Sequence, residues 1–151
     1  MCLKITHTIL LLTLFLFSTQ IEIAKTQHNK DSIKVIVNWE KNFETALKKA
    51  QENNKTIFIY FWTDWCAPCK QLDGIVFSDT LLGAAINQYI CLKLNAEKGE
   101  GINLRNKYNI GGYPTFLFID KNEKEIGRII GTRSNAKYLT LIKNKGITTN
   151  K

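Results

Sequence analysis

One junction constrains this chain more than any other. The apolar run Thr56-Ile57-Phe58-Ile59-Tyr60-Phe61 gives way at once to Trp62-Thr63-Asp64-Trp65-Cys66-Ala67-Pro68-Cys69-Lys70. The run is short and rich in β-branched and aromatic residues, which predicts a buried strand. Beyond Cys69 the apolar positions Leu72, Ile75, Val76 and Phe77 fall at helical spacing. The two cysteines therefore sit where a strand hands over to a helix. A thiolate there faces unpaired backbone N–H groups and the positive end of the helix macrodipole, which favour its charged form. One helical turn brings the second sulfur within disulfide reach of the first. Pro68 suits the first turn because its missing N–H has no partner there in any case. These features describe a dithiol able to open and close.

At 151 residues and 44% hydrophobic content, the chain has the length of one domain and enough apolar mass for a proper core. Its start reads differently from the rest. Met1 to Thr8 carries Lys4, Ile9 to Phe17 is almost wholly apolar, and Ser18-Thr19-Gln20 follows. This pattern predicts a signal peptide over residues 1–24, with cleavage between about 18 and 26. The alternative is a retained membrane anchor, although the apolar run is about half the ~20 residues that a spanning helix needs. Residues 25–38 form a polar leader in which Ile33-Lys34-Val35-Ile36-Val37 alternates weakly, a candidate edge strand. Residues 39–151 make up the domain.

Export would change how the cysteines are read. Cys2 leaves with the signal, and Cys66, Cys69 and Cys91 remain. Outside the cytosol cysteines usually pair as staples, but a two-residue spacing closes almost no loop. Zinc would need two further ligands, and the only histidines, His7 and His28, both lie near the N-terminus. The same absence removes a cysteine-protease reading, which wants a histidine base. Cys91 is expected to be a buried, inert core thiol. The net charge of +8 is scattered through loops and helix surfaces rather than clustered with aromatics, so nucleic acid is not an expected partner.

The remaining pattern supplies the architecture. Trp39, Phe43, Ala46, Leu47 and Ala50 make a helical stripe with Asn42 as its cap. Leu81, Leu82, Ala85 and Ile86 predict a short helix, Tyr89 to Leu94 a strand, and Ile102, Leu104, Arg105 and Tyr108 another short helix. Thr115 to Ile119 and Glu125 to Ile130 predict a hairpin turning at Asp120-Lys121-Asn122-Glu123, and Ala136, Leu139, Leu141 and Ile142 a closing helix. The order β-α-β-α-β-α-β-β-α implies an α/β fold with a mixed central sheet and helices on both faces.

Trp65-Cys66-Ala67-Pro68-Cys69-Lys70 after a buried strand, with Gly112-Tyr113-Pro114-Thr115-Phe116 further on, resembles thioredoxin, from about Trp39 to Lys145. Asp64-Trp65-Cys66, Asp73 and Val76-Phe77-Ser78-Asp79 bring the chain closest to exported thioredoxin-like proteins related to the C-terminal domain of DsbD-type thiol:disulfide interchange proteins. The resemblance implies the thioredoxin fold, with Cys66 as the more exposed nucleophile and Cys69 resolving the mixed disulfide. It implies a cis peptide bond at Pro114, against the dithiol, with the Tyr113 backbone offered to an extended substrate and Trp65 on the docking surface.

Three positions bear on proton transfer. Tyr60 stands where cytosolic thioredoxins carry a buried aspartate, and a tyrosine is a poor base. Asp73, one turn past Cys69, is either its substitute or a solvated surface carboxylate. Lys93 either lowers a thiol pKa or snorkels outward. Gly74 replaces a helix-kinking proline of thioredoxins. The implied function is an exported thiol:disulfide oxidoreductase, with no cofactor beyond its own redox-active disulfide and no metal. Ala67-Pro68 supplies no charge, which favours a reductase recharged by a membrane thiol electron donor and acting, as a monomer, on protein disulfide substrates. An oxidase or isomerase, and a thiol-dependent binding or metal-carrier module, are the alternatives.

Overall fold

The computed structural model describes residues 35–75 and 77–145. The expected signal peptide and most of the leader fall outside them. Among the described residues four strands form one sheet in the order β2-β1-β3-β4: β1 (Ile57–Trp62), β2 (Ile90–Asn95), β3 (Thr115–Ile119) and β4 (Glu125–Ile130). β1 runs parallel to β2 and antiparallel to β3, and β3 runs antiparallel to β4. Strands of this sequence must bury both faces, because consecutive residues of β1 are all apolar and side chains alternate sides. Phe58 and Tyr60 enter one core with Cys66, Cys69, Leu72, Leu82, Ile86, Phe116, Tyr138 and Ile142. Ile57, Ile59 and Phe61 enter the other with Ala46, Ala50, Leu92, Leu104 and Leu117.

Among the described residues, five helices supply the covering layers. α1 (Phe43–Asn53) and α4 (Glu100–Lys107) contribute to the second core. α2 (Ala67–Ile75), α3 (Thr80–Ile86) and α5 (Asn135–Lys143) contribute to the first. Caps fix the helix starts. The Asn42 side chain accepts from Thr45 N at 2.8 Å. Asp79 Oδ1 accepts from Leu81 N and Leu82 N at 2.9 and 3.0 Å, and its Oδ2 accepts from the Asn135 amide at 3.0 Å, joining α3 to α5. Gly101 is required by close approach: a Cβ there would lie 2.0 Å from the Asn95 carbonyl oxygen.

The candidate edge strand in the leader is corrected. Within its described part, residues 35–38 form no strand, and pairing is limited to a single parallel bridge between Trp39 and Cys91. The Asn87 side chain takes the backbone groups a ladder would use, accepting from Asn38 N at 3.0 Å and donating to the Ile36 carbonyl at 2.9 Å. At Gly74 the helix continues to Ile75, and the Ser78 hydroxyl donates to the Gly74 carbonyl at 2.8 Å.

Candidate active site

The end of β1 carries the chain into the N-terminus of α2, and there Cys66 and Cys69 form a disulfide with Cα atoms 5.3 Å apart. The Cys66 N–H donates to the Thr63 carbonyl at 3.2 Å, closing the turn before the helix. The Cys69 N–H points at Cys66 Sγ, 3.2 Å away. It also donates to the Cys66 carbonyl at 3.1 Å, so this helix-start N–H is shared with the sulfur that carries negative charge once the disulfide opens. The two cysteines are both buried, Cys66 2% and Cys69 1% exposed. Both belong to the first core, with Tyr60 and Phe116. They differ in position: Cys66 precedes α2, and Cys69 lies in its first turn. Ala67 and Pro68 between them are exposed.

Tyr60 is fully buried, and its hydroxyl donates to the Cys69 carbonyl at 3.3 Å. Burial first, and the Asp73 charge second, push its phenol far above the usual tyrosine range. It ties down the backbone of the active-site turn and takes no proton. Lys93 Nζ contacts Asp73 Oδ1 at 2.8 Å, so these two candidates come together as an ion pair between β2 and α2. Neither expectation for Lys93 describes this arrangement, in which the ammonium faces a carboxylate and aromatic rings. Cys91 is buried, its thiol donating to the Ile86 carbonyl at 3.2 Å, and burial pushes its pKa up to about 12.

On the other side of the motif, the Tyr113–Pro114 peptide bond is cis. The Trp65 ring, 66% exposed, meets the Tyr113 ring edge-on with centroids 5.8 Å apart. The Trp65 indole N–H donates to both carboxylate oxygens of Glu97, at 3.0 and 3.1 Å. Neither the backbone N–H nor the carbonyl of Tyr113 has a hydrogen-bond partner among the described residues. A neighbouring extended chain can therefore pair with it. Sequence reasoning did not single out Glu97, whose role depends on a contact 32 residues away. It also passed over Thr63, fully buried beside the motif with its hydroxyl unpartnered. Among the described residues no group of three His, Cys, Asp or Glu side chains is placed to hold a metal ion.

A disulfide across the first turn of a helix, with a cis-proline loop alongside, is equipment for thiol–disulfide exchange. The sequence matches the thioredoxin family over residues 34–144. The chain belongs to that family, and its site is that of a thioredoxin-type thiol:disulfide oxidoreductase with Cys66 and Cys69 as the pair. Among its relatives, protein disulfide-isomerase 1 of Dictyostelium discoideum is 30% identical over 89% of this chain. The thiol:disulfide interchange protein DsbD of Pseudoalteromonas atlantica is 27% identical over 79% of it. The chain spans 36% and 21% of the length of those two proteins. A Bacteroides thetaiotaomicron protein assigned as a disulphide-isomerase is 36% identical, with a TM-score of 0.64 over 73% of this chain and 93% of its own.

Proposed function

We propose that this chain is an exported reductant of protein disulfides. The observation that carries the direction is the pair of residues between the cysteines: Ala67 and Pro68 are exposed and uncharged. A histidine there would hold positive charge against the Cys66 sulfur, stabilise the reduced form and make the pair a strong oxidant. In the reduced enzyme the Cys66 thiolate attacks one sulfur of a partner disulfide. A Cys66–partner bond forms, and the other partner sulfur leaves as a thiolate and takes a proton. Cys69, giving up its own proton, then attacks Cys66 Sγ and expels the second partner thiolate. Two electrons have passed to the partner, and the Cys66–Cys69 disulfide of this structure is the product. Turnover requires a membrane thiol electron donor to return them. Export rests on the signal-like pattern of residues 1–24.

The deciding measurement is the equilibrium potential of the Cys66/Cys69 pair against glutathione. A value near thioredoxin's, roughly −270 mV, supports the reductant, whereas one near DsbA's, roughly −120 mV, overturns the direction. Absence of any reversible couple overturns the enzyme. Cys69→Ser should accumulate a mixed disulfide with a substrate and Cys66→Ser should not. The names of the Dictyostelium and Bacteroides relatives favour a second reading, an isomerase, which a refolding assay on a scrambled disulfide protein distinguishes.

A further inference from the structure

A groove of about 470 Å3 opens beside the redox site, lined by Trp65, Glu97, Arg105, Asn106, Asn109 and Tyr113 among others. Its far wall is the C-terminus of α4, closed in a fixed shape. The Ile110 N–H donates to the Arg105 carbonyl at 2.9 Å and the Asn109 N–H to the Asn106 carbonyl at 3.2 Å, with Asn109 at φ +50°. This double closure is the Schellman pattern, with asparagine supplying the left-handed residue. The near wall is the Trp65–Tyr113 pair, held by Glu97.

The groove carries one charge of each sign, Glu97 and Arg105, and the two do not pair with each other. Among the described residues that line it, Glu97 is the one carboxylate; both its oxygens accept from the neutral Trp65 indole, and it keeps its negative charge. The Arg105 side chain, half-buried in the same groove, makes no hydrogen bond or ion pair with any described residue. A guanidinium offers five donors in a planar fork that fits a carboxylate. Beside it lie the unpaired backbone groups of Tyr113, which accept an extended segment.

We infer that Arg105 selects the partner, and that the groove takes an aspartate or glutamate side chain of a partner polypeptide close to its reactive disulfide. This rests on the proposed exchange chemistry. With the partner extended along Tyr113, one of its sulfurs reaches Cys66 while a nearby acidic side chain pairs with Arg105. Asn106 and Asn109 add amides to the same seat.

The test uses two synthetic peptide disulfides, identical except that one carries aspartate and the other asparagine beside the cysteine. Each reacts with the reduced protein at low salt, and a neutral small disulfide, hydroxyethyl disulfide, serves as reference. The aspartate peptide should react about fivefold faster than the asparagine peptide, the size expected of a partly exposed ion pair. Arg105→Gln should abolish that ratio, Arg105→Lys should retain part of it, and Lys121→Gln, the same charge loss in the β3–β4 turn, should leave it intact. Equal rates for the two peptides overturn the inference. So does a ratio that survives Arg105→Gln or falls equally with Lys121→Gln, because the overall positive charge would then be its source. If hydroxyethyl disulfide does not react either, the exchange chemistry itself falls, and the groove's role with it.

Discussion

Lys93 Nζ lies 2.8 Å from Asp73 Oδ1 and faces the rings of Trp62, Tyr60 and Phe77 at 5.2, 5.3 and 5.9 Å from their centroids. The side chains are 26% and 37% exposed, so the ion pair alone contributes little, about 1 kcal/mol at most. The aromatic faces add about 0.5–1 kcal/mol that depends on the cation and not on the carboxylate. Lys93→Met should therefore cost about 1–2 kcal/mol in urea unfolding of the oxidised protein, and Asp73→Asn less than about 1 kcal/mol. A double-mutant cycle should give a coupling below about 1 kcal/mol. A larger penalty for Asp73→Asn than for Lys93→Met would show that the rings do not hold the ammonium.

Thr63 is buried with its hydroxyl unpartnered. An unsatisfied buried hydroxyl costs about 1–3 kcal/mol, and valine has nearly the same shape without it. Thr63→Val should raise stability by about 1 kcal/mol, read as a higher midpoint in thermal unfolding. A lower midpoint would mean that the hydroxyl is bonded in solution.

Asp79 caps α3 and accepts from Asn135. The backbone N–H of Leu82, first among its donors, lowers its pKa below the ordinary 3.8. The stabilisation from a depressed carboxyl is complete above the unfolded-state value and is lost as pH falls through the folded one. Wild type should therefore lose this contribution only below about pH 4. Asp79→Ala should cost about 1 kcal/mol at neutral pH and show a shallower acid limb in a pH series of unfolding midpoints. Identical acid limbs would exclude Asp79 from the acid response.

Burial holds the Cys91 thiol at about 12, well above its ordinary 9.0. Only the thiolate is nucleophilic, so in the reduced native protein at pH 8 iodoacetamide should alkylate Cys66 and leave Cys91 unmodified until the chain is unfolded. Stability drawn from the neutral thiol is complete below the unfolded-state value and declines as pH rises through 9 towards 12. Peptide mapping of the alkylated protein checks the first expectation, and native labelling of Cys91 would contradict it.

The sequence made legible whatever rests on local pattern. The buried run before Cys66, the helical spacing after Cys69, the hairpin at Asp120 and the cap at Asn42 each lie within a few residues of their cause. What it did not show depends on folding distant segments together. Asp73 and Lys93 are 20 positions apart, and nothing local marks them as partners. Trp65 and Glu97 are 32 apart. Arg105 looks like any helix-surface cation until Trp65 and Tyr113 stand opposite it. The weak alternation of Ile33–Val37 predicted a ladder because periodicity cannot register that Asn87 would claim the Asn38 and Ile36 backbone groups.

The single bridge at Trp39 has a consequence for the protein in concentrated solution. β2 is an outer strand, and a long unpaired outer strand invites another chain to add to it. Trp39 occupies the register opposite Cys91, and the Glu40 N–H takes the Cys91 carbonyl at 2.7 Å. Strand-wise growth at that position requires the tryptophan to be prised off first, so two residues shield the start of β2 against self-association.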